Sequence, residues 1–132
     1  MGVTHGNEIN VLLVDDRPDG LLALEAVLGK SQYRLFTASS GREALSQVFD
    51  REFAVIILDV QMPGMDGFEA TRRIRDAKLS SGLARTPVVA LTAHAMAGYR
   101  EQCLQAGMDD YLGKPFPSVA LDEILGRWIT GT

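Results

Sequence analysis

Three aspartates, a threonine and a lysine are the residues of this chain whose types and positions could do chemistry together. Asp15 and Asp16 directly follow one short apolar run, Asp59 and Thr92 each follow another, and Lys114 comes shortly after the last. Each residue alone is commonplace, because an aspartate or threonine after a strand is usually a turn or capping residue. Brought together, they would supply three carboxylates, a hydroxyl and an ammonium group to one site.

Such a site needs a cation. Two carboxylates 4 Å apart repel each other by roughly 4 kcal/mol at an effective dielectric constant of about 20. A divalent ion together with Lys114 would balance the charge of the three acids. An all-oxygen ligand set favours a hard cation, and a site with few carboxylates and room for water fits Mg²⁺ better than Ca²⁺. We therefore expect Mg²⁺ as the cofactor.

Five short apolar runs are the elements that would position these residues. Continuously apolar stretches at 11–14, 55–58 and 88–91 are typical of strands covered on both faces. Helical segments alternate with the runs, so the sequence predicts an α/β fold with a five-stranded, doubly wound parallel sheet in a three-layer (βα)5 sandwich. The predicted strands are 9–14, 33–38, 53–58, 87–91 and 108–112.

The connecting segments carry further expectations. Ser40 and Asp66 are placed to cap the second and third helices. We expect residues 79–85 (Leu-Ser-Ser-Gly-Leu-Ala-Arg) to form a loop, and a solvated helix face to carry Arg72, Arg73 and Arg75.

Bulk properties bound the class of protein. A chain of 132 residues fits one domain, which we expect over residues 9–130 after a flexible leader at 1–8. The net charge of -4 and the lack of a Lys/Arg run argue against direct nucleic-acid binding. Cys103 is the only cysteine, so an internal disulfide is impossible. The sequence has neither a signal-peptide core nor an apolar stretch near the ~20 residues that span a bilayer, so we expect a cytoplasmic domain without membrane contact.

Four motifs taken in order closely resemble the receiver domain of two-component response regulators. They are Val-Asp-Asp at 14–16, Leu-Asp-Val-Gln-Met-Pro-Gly-Met-Asp-Gly at 58–67, Leu-Thr-Ala at 91–93 and Lys-Pro-Phe at 114–116. The likeness extends over roughly residues 9–129, nearly the whole chain. It implies a flavodoxin-like fold and a signalling receiver that assists its own phosphorylation and slow dephosphorylation, rather than a conventional enzyme.

The resemblance also implies a role for each site residue. Asp59 would accept a phosphoryl group from a phosphohistidine on a histidine kinase or histidine phosphotransfer protein. Lys114 would neutralise one phosphoryl oxygen and Thr92 would hydrogen-bond another. The Mg²⁺ ligands would be Asp16, Asp59 and the backbone carbonyl of Gln61, with Asp15 acting largely through water.

A conformational switch belongs to the same resemblance. Thr92 would move toward the phosphate and Tyr111 would turn inward behind it, although a half-buried aromatic at the sheet edge explains Tyr111 equally well. Lys114-Pro115 resembles the family's cis peptide. His94 and Gln61 lie where such domains tune the lifetime of the phosphoryl group.

Three functional alternatives remain open at this point. An aspartyl-phosphate hydrolase of the haloacid dehalogenase type would need a second acid two residues beyond the nucleophile, where this chain has Gln61. A degenerate interaction module is disfavoured because every reactive position is filled. A receiver could be a monomeric or weakly dimeric stand-alone regulator, or a segment of a hybrid sensor kinase, whose receivers resemble the stretch Leu-Thr-Ala-His-Ala-Met.

Overall fold

A computed structural model of the chain describes residues 9–28, 33–60, 67–81, 86–92, 99–114 and 117–129. Strands and helices alternate along it. The strands are β1 (Ile9–Val14), β2 (Tyr33–Ala38), β3 (Val55–Asp59), β4 (Val88–Thr92) and β5 (Asp110–Gly113). The helices are α1 (Pro18–Leu28), α2 (Gly41–Asp50), α3 (Gly67–Ser81), α4 (Tyr99–Gln105) and α5 (Ser118–Ile129). No helix in these described ranges is long and apolar enough to cross a bilayer.

All five strands are parallel and lie in one sheet with the order β2-β1-β3-β4-β5. The strand order reverses between β1 and β3, and the crevice at the carboxyl ends of such a strand pair is where open α/β sheets bind ligands. In register, Val14 lies beside Leu58, and Thr92 lies beside Gly113. The predicted five-stranded parallel fold is confirmed.

Apolar side chains cover the sheet on both faces. Successive residues of a strand point to opposite faces, so a strand buried on both sides has no polar alternation. One core layer joins the sheet to α2, α3 and α4 through Leu12, Ile56, Ala44, Val48, Ala70, Ile74 and Cys103. The other joins the opposite face to α1 and α5 through Val11, Leu13, Ile57, Leu24, Leu28, Leu121 and Leu125.

The helix ends agree in part with the sequence-based expectations. Ser40 caps α2 as predicted, because its hydroxyl oxygen accepts a 3.1 Å hydrogen bond from the Glu43 amide. The predicted loop at 79–85 is wrong for residues 79–81, since α3 continues to Ser81. Helical hydrogen bonding there extends to the residue before Gly82, a usual place for a helix to stop. The rest of that loop and the predicted Asp66 cap lie outside the described residues.

Arg75 corrects the prediction of a fully solvated arginine face. Its side chain is only 14% exposed, and its guanidinium group lies 2.7 Å from Asp109 Oδ2. It also donates hydrogen bonds to the carbonyl oxygens of Gly107 and Thr86. The physical reason is helix geometry: Arg75 follows buried Thr71 by one turn, so both point toward the sheet. The other two arginines of this helix face are exposed as predicted.

Gly67 provides a test of how tightly α3 is set against the sheet. A Cβ atom at this position would lie 2.6 Å from the Cα of Val60 and 3.0 Å from the carbonyl oxygen of Asp59. These are backbone atoms that cannot swing aside, so Gly67→Ala should lower the free energy of unfolding by about 1–3 kcal/mol. Urea denaturation with an unchanged m-value would measure this loss.

Gly126 in α5 is the matched control, because a Cβ atom there meets nothing within 4 Å. Gly126→Ala should raise the free energy of unfolding by about 0.5–1 kcal/mol, the usual gain for alanine over glycine in a helix. Equal effects of the two substitutions would show that close packing at Gly67 is not what requires glycine.

Candidate functional site

Three carboxylates meet where β1 and β3 end. Asp15 directly follows β1 and Asp59 is the last residue of β3, so the paired register of the two strands sets them side by side. One carboxylate oxygen from each of Asp15, Asp16 and Asp59 lies within 4.8 Å of the others. Asp15 is 1% exposed and Asp59 is 4% exposed. The convergence of acids predicted from separate parts of the sequence is therefore present in the structure.

Lys114 directly follows the edge strand β5, and its side chain reaches the cluster. Its Nζ atom lies 3.4 Å from Asp59 Oδ2 and 3.9 Å from Asp15 Oδ2. Its backbone N–H donates a 2.7 Å hydrogen bond to the carbonyl oxygen of Thr92, which continues the ladder between β4 and β5. That ladder fixes where the lysine leaves the sheet. A single ammonium group thus faces two buried carboxylates.

The environment of Asp15 opposes its ionisation. Burial raises the pKa of Asp15, and the charge of neighbouring Asp59 adds to that rise. The Arg17 amide, which donates a 3.0 Å hydrogen bond to Asp15 Oδ1, and the Lys114 charge act in the opposite direction. Because burial is the largest of these causes, the protein groups around Asp15 compensate its ionised carboxylate only in part.

The cluster suits a hard divalent cation. Its three donors are all carboxylates, with neither imidazole nor thiolate among them. Two of the three are buried, and one ammonium offsets only part of their charge. Oxygen donors in small number are the ligands that Mg²⁺ takes while it keeps several waters. Gln61, whose backbone carbonyl was predicted as a further ligand, lies outside the described residues.

Thr92 and Tyr111 lie on the adjacent strands β4 and β5. Thr92 is the last residue of β4 and is fully buried. Tyr111 lies on β5 and is half-buried against the core layer of α2, α3 and α4. This placement fits both interpretations given for Tyr111. The expectations for His94 and for the Lys114-Pro115 peptide bond fall on residues outside the described ranges.

Gly20 is a site neighbour that sequence reasoning missed. It is the third residue of α1, and the Asp15 carboxylate lies where a side chain of residue 20 would begin. A glycine in the first turn after an acid pair was the available signal, because glycine weakens a helix interior unless close packing requires it.

Comparison with known proteins relates the chain to one protein family. Residues 11–126 match the family model of the response regulator receiver domain. The sensor protein GacS of Pseudomonas syringae pv. syringae is 41% identical over 118 residues, which make up 89% of this chain and 13% of that protein. The chain therefore spans only a small part of such curated relatives.

Solved structures show the same fold. The receiver domain of the sensor histidine kinase PA1611 from Pseudomonas aeruginosa PAO1 is 41% identical with a TM-score of 0.83, covering 93% of this chain and 98% of that one. That structure holds a magnesium ion in its active-site cleft. The Ssk1 receiver domain of Saccharomyces cerevisiae, solved with the histidine phosphotransfer protein Ypd1, is 30% identical with a TM-score of 0.88, covering 94% and 90%.

The buried charge of Asp15 should appear in the pH dependence of stability. Its pKa is raised from the ordinary 3.8, so the folded state binds more protons than the unfolded state between the two values. The Asp15 contribution to stability therefore falls as pH rises through that window. Asp15→Asn, which stays neutral, should match the parent near pH 3.5 and exceed it by on the order of 1 kcal/mol at pH 7 without divalent ions.

Urea titrations in EDTA at several pH values measure this difference. Asp76→Asn, which removes an exposed carboxylate on α3, is the control for the loss of one negative charge outside the cluster. A parent that is more stable than Asp15→Asn at pH 7 in EDTA would contradict the assigned charge imbalance.

Proposed function

The chain belongs to the response regulator receiver family, and from that membership we propose that it is a phosphorylation switch whose phosphoryl acceptor is Asp59. In the proposed reaction an Asp59 carboxylate oxygen forms a bond to phosphorus while the phosphorus–nitrogen bond of a phosphohistidine breaks. The bonding electron pair stays on the imidazole nitrogen, which takes up a proton. The observation that carries the proposal is the Lys114 ammonium 3.4 Å from Asp59 Oδ2, at the carboxyl edge of the sheet.

The proposed chemistry needs positioning and charge balance rather than a general base. Aspartate side chains are ordinarily ionised at neutral pH, so a carboxylate acceptor needs no group to remove a proton from it. Lys114 would offset the charge on a phosphoryl oxygen, and the Thr92 hydroxyl would hydrogen-bond another. Phosphoryl transfer passes through a loose transition state with charge spread over its oxygens, so such groups can supply most of the catalysis.

Asp15, Asp16 and Asp59 would hold Mg²⁺, together with the Gln61 carbonyl that the family resemblance suggests. The bound ion would neutralise charge on the phosphoryl oxygens. Support comes from the spacing of the three acids and from the magnesium ion in the related PA1611 receiver. Without a cation, the single ammonium of Lys114 leaves the cluster negative.

The proposed switch begins at Thr92 and Tyr111. Phosphorylation replaces one negative charge on Asp59 by about two and adds acceptor oxygens. Thr92 would move toward the new oxygens, and Tyr111 would turn inward into the space behind it. Such a local charge event biases two pre-existing conformations that differ by a few kcal/mol.

The proposed partner is a histidine kinase or a histidine phosphotransfer protein, and the proposed location is the cytoplasm. The related Ssk1 receiver occurs in complex with the phosphotransfer protein Ypd1, and the relative GacS is a sensor protein. Both a stand-alone regulator and a receiver segment of a hybrid kinase fit these relatives. A monomer or weak dimer without nucleic-acid contact is the expected form. Receiver membership favours this function over a phosphomonoester hydrolase.

Acetyl phosphate labelling tests the acceptor. The parent protein incubated with acetyl phosphate and Mg²⁺ should gain about 80 Da, the mass of one phosphoryl group on an acyl acceptor. Asp59→Asn should gain none because its side chain lacks the nucleophilic carboxylate. Intact-mass spectrometry measures both, and Asp76→Asn serves as a control that should label like the parent. Equal labelling of the parent and Asp59→Asn would place the acceptor elsewhere.

Replacing Lys114 with an uncharged residue should strengthen metal binding and weaken signalling. Lys114→Met removes a positive charge beside two acids, so Mg²⁺ affinity should rise several-fold, which corresponds to roughly 1 kcal/mol. Phosphorylation-dependent binding to the phosphotransfer partner should fall, because the phosphoryl oxygen loses its ammonium. Calorimetric Mg²⁺ titration and a partner pull-down measure the two effects.

Lys114→Arg retains the charge and is the matched control, with Mg²⁺ affinity expected near that of the parent. Weaker Mg²⁺ binding by Lys114→Met, or unchanged phosphorylation-dependent partner binding, would remove the proposed role of the lysine.

A further inference from the structure

The backbone of Gly20 packs so closely against the Asp15 carboxylate that a side chain at residue 20 would not fit. A Cβ atom on residue 20 would overlap Oδ2 of Asp15 and would lie 2.8 Å from its Cγ and 3.4 Å from its Oδ1. Distances under 3.0 Å between a Cβ and another heavy atom do not occur without displacement. The position of the Asp15 carboxylate and the absence of a side chain at residue 20 are therefore two aspects of one packing arrangement.

Backbone conformation does not explain this glycine. Gly20 lies within helix α1 and has no positive φ, unlike Gly107, whose φ is 102°. Alanine would be preferred over glycine in a helix by about 1 kcal/mol. Glycine at residue 20 therefore makes the helix less stable than alanine would, and the contact with Asp15 explains why glycine is present.

The Asp15 carboxylate has little room to move elsewhere. It is 1% exposed, its Oδ1 accepts the 3.0 Å hydrogen bond from the Arg17 amide, and its Oδ2 lies 3.9 Å from Lys114 Nζ. Asp59 occupies another side at a distance that allows both acids to ligate one ion. A methyl group at residue 20 would force the carboxylate to rotate, and rotation would break the Arg17 hydrogen bond.

We propose that Gly20 is a positioning residue that holds the Asp15 carboxylate in the acidic cluster and thereby sets the affinity of the site for Mg²⁺. The metal half of this inference rests on the proposed function. Groups that orient a metal ligand without touching the metal typically change affinity by tenfold to a hundredfold when they are altered. Gly20 would orient the Asp15 carboxylate by leaving room for it, and not by donating a hydrogen bond to it.

Two readouts on Gly20→Ala test the proposal. The first is the Arg17 backbone amide in ¹⁵N-correlated NMR spectra recorded in EDTA. If the carboxylate rotates away, this resonance should move to the position it has in Asp15→Ala, which lacks the acceptor altogether. The second is the Mg²⁺ dissociation constant from calorimetric titration, which should rise about tenfold or more.

A double-mutant cycle assigns the effect to Asp15. In the Asp15→Ala background, Gly20→Ala should change Mg²⁺ affinity by less than about twofold, because substitutions that act through one group are not additive. Gly126→Ala, which places the same methyl group in open space on α5, should leave both the Arg17 amide and Mg²⁺ affinity unchanged. It controls for a general effect of helix stabilisation.

Each alternative result overturns the inference. An unshifted Arg17 amide would mean that α1 moves and Asp15 stays in place. A shifted amide with unchanged Mg²⁺ affinity would separate carboxylate position from metal binding. Equal losses of affinity with and without Asp15 would place the effect in the helix. If the parent itself fails to bind Mg²⁺, the proposed function is what fails, and the Arg17 amide still decides whether Gly20 positions Asp15.

Discussion

The main constraint on this structure is that the fold must hold three carboxylates close together although their charges repel. Three carboxylates lie with oxygens within 4.8 Å of one another, and the ammonium group of Lys114 lies near two of them. Two ionised carboxylates 4 Å apart repel each other by roughly 4 kcal/mol at an effective dielectric constant of about 20. The net stability of a domain is only about 5–15 kcal/mol, so repulsion of that size is a large fraction of it. Any ligand that supplies positive charge then stabilises the fold by mass action.

A rigid scaffold is what permits this arrangement. The central strands are buried on both faces, and each face carries its own apolar layer. At the opposite edge of the sheet, Arg75 and Asp109 join α3 to the turn before β5, and Asp109 also accepts a hydrogen bond from the Val88 amide. The two core layers are thus supplemented by a polar link near the amino ends of β4 and β5. The carboxyl ends are left to hold charge that the scaffold alone does not balance.

The sequence specified the elements better than their contacts. β1 and β2 agree with the predicted ranges, since apolar runs there end at charged or small residues. β3 and β5 each begin two residues later than predicted: Phe53 and Met108 are buried without being in strands, and burial is all that an apolar pattern reports. The acidic cluster was predictable because parallel strands deliver their following residues to one edge. The buried position of Arg75 was not, because it depends on a partner 34 residues away. The position of Gly20 in the helix was a signal, but the side chain that packs against it is seen only in the structure.

Lys114 connects the acidic cluster to the strands that carry the proposed switch residues. The group that faces the acids, Lys114, is also bonded through its own amide to the carbonyl oxygen of Thr92. Thr92 closes β4, and Tyr111 lies on β5 beside that strand, so the lysine belongs to the same ladder as both proposed switch residues. In the proposed switch, a change of charge on Asp59 would also act on Lys114, whose backbone hydrogen bond to Thr92 ties it to β4. The side chain and backbone amide of Lys114 thus form a short connection between the acids and the β4–β5 edge. The proposed switch requires no longer chain of contacts than this one.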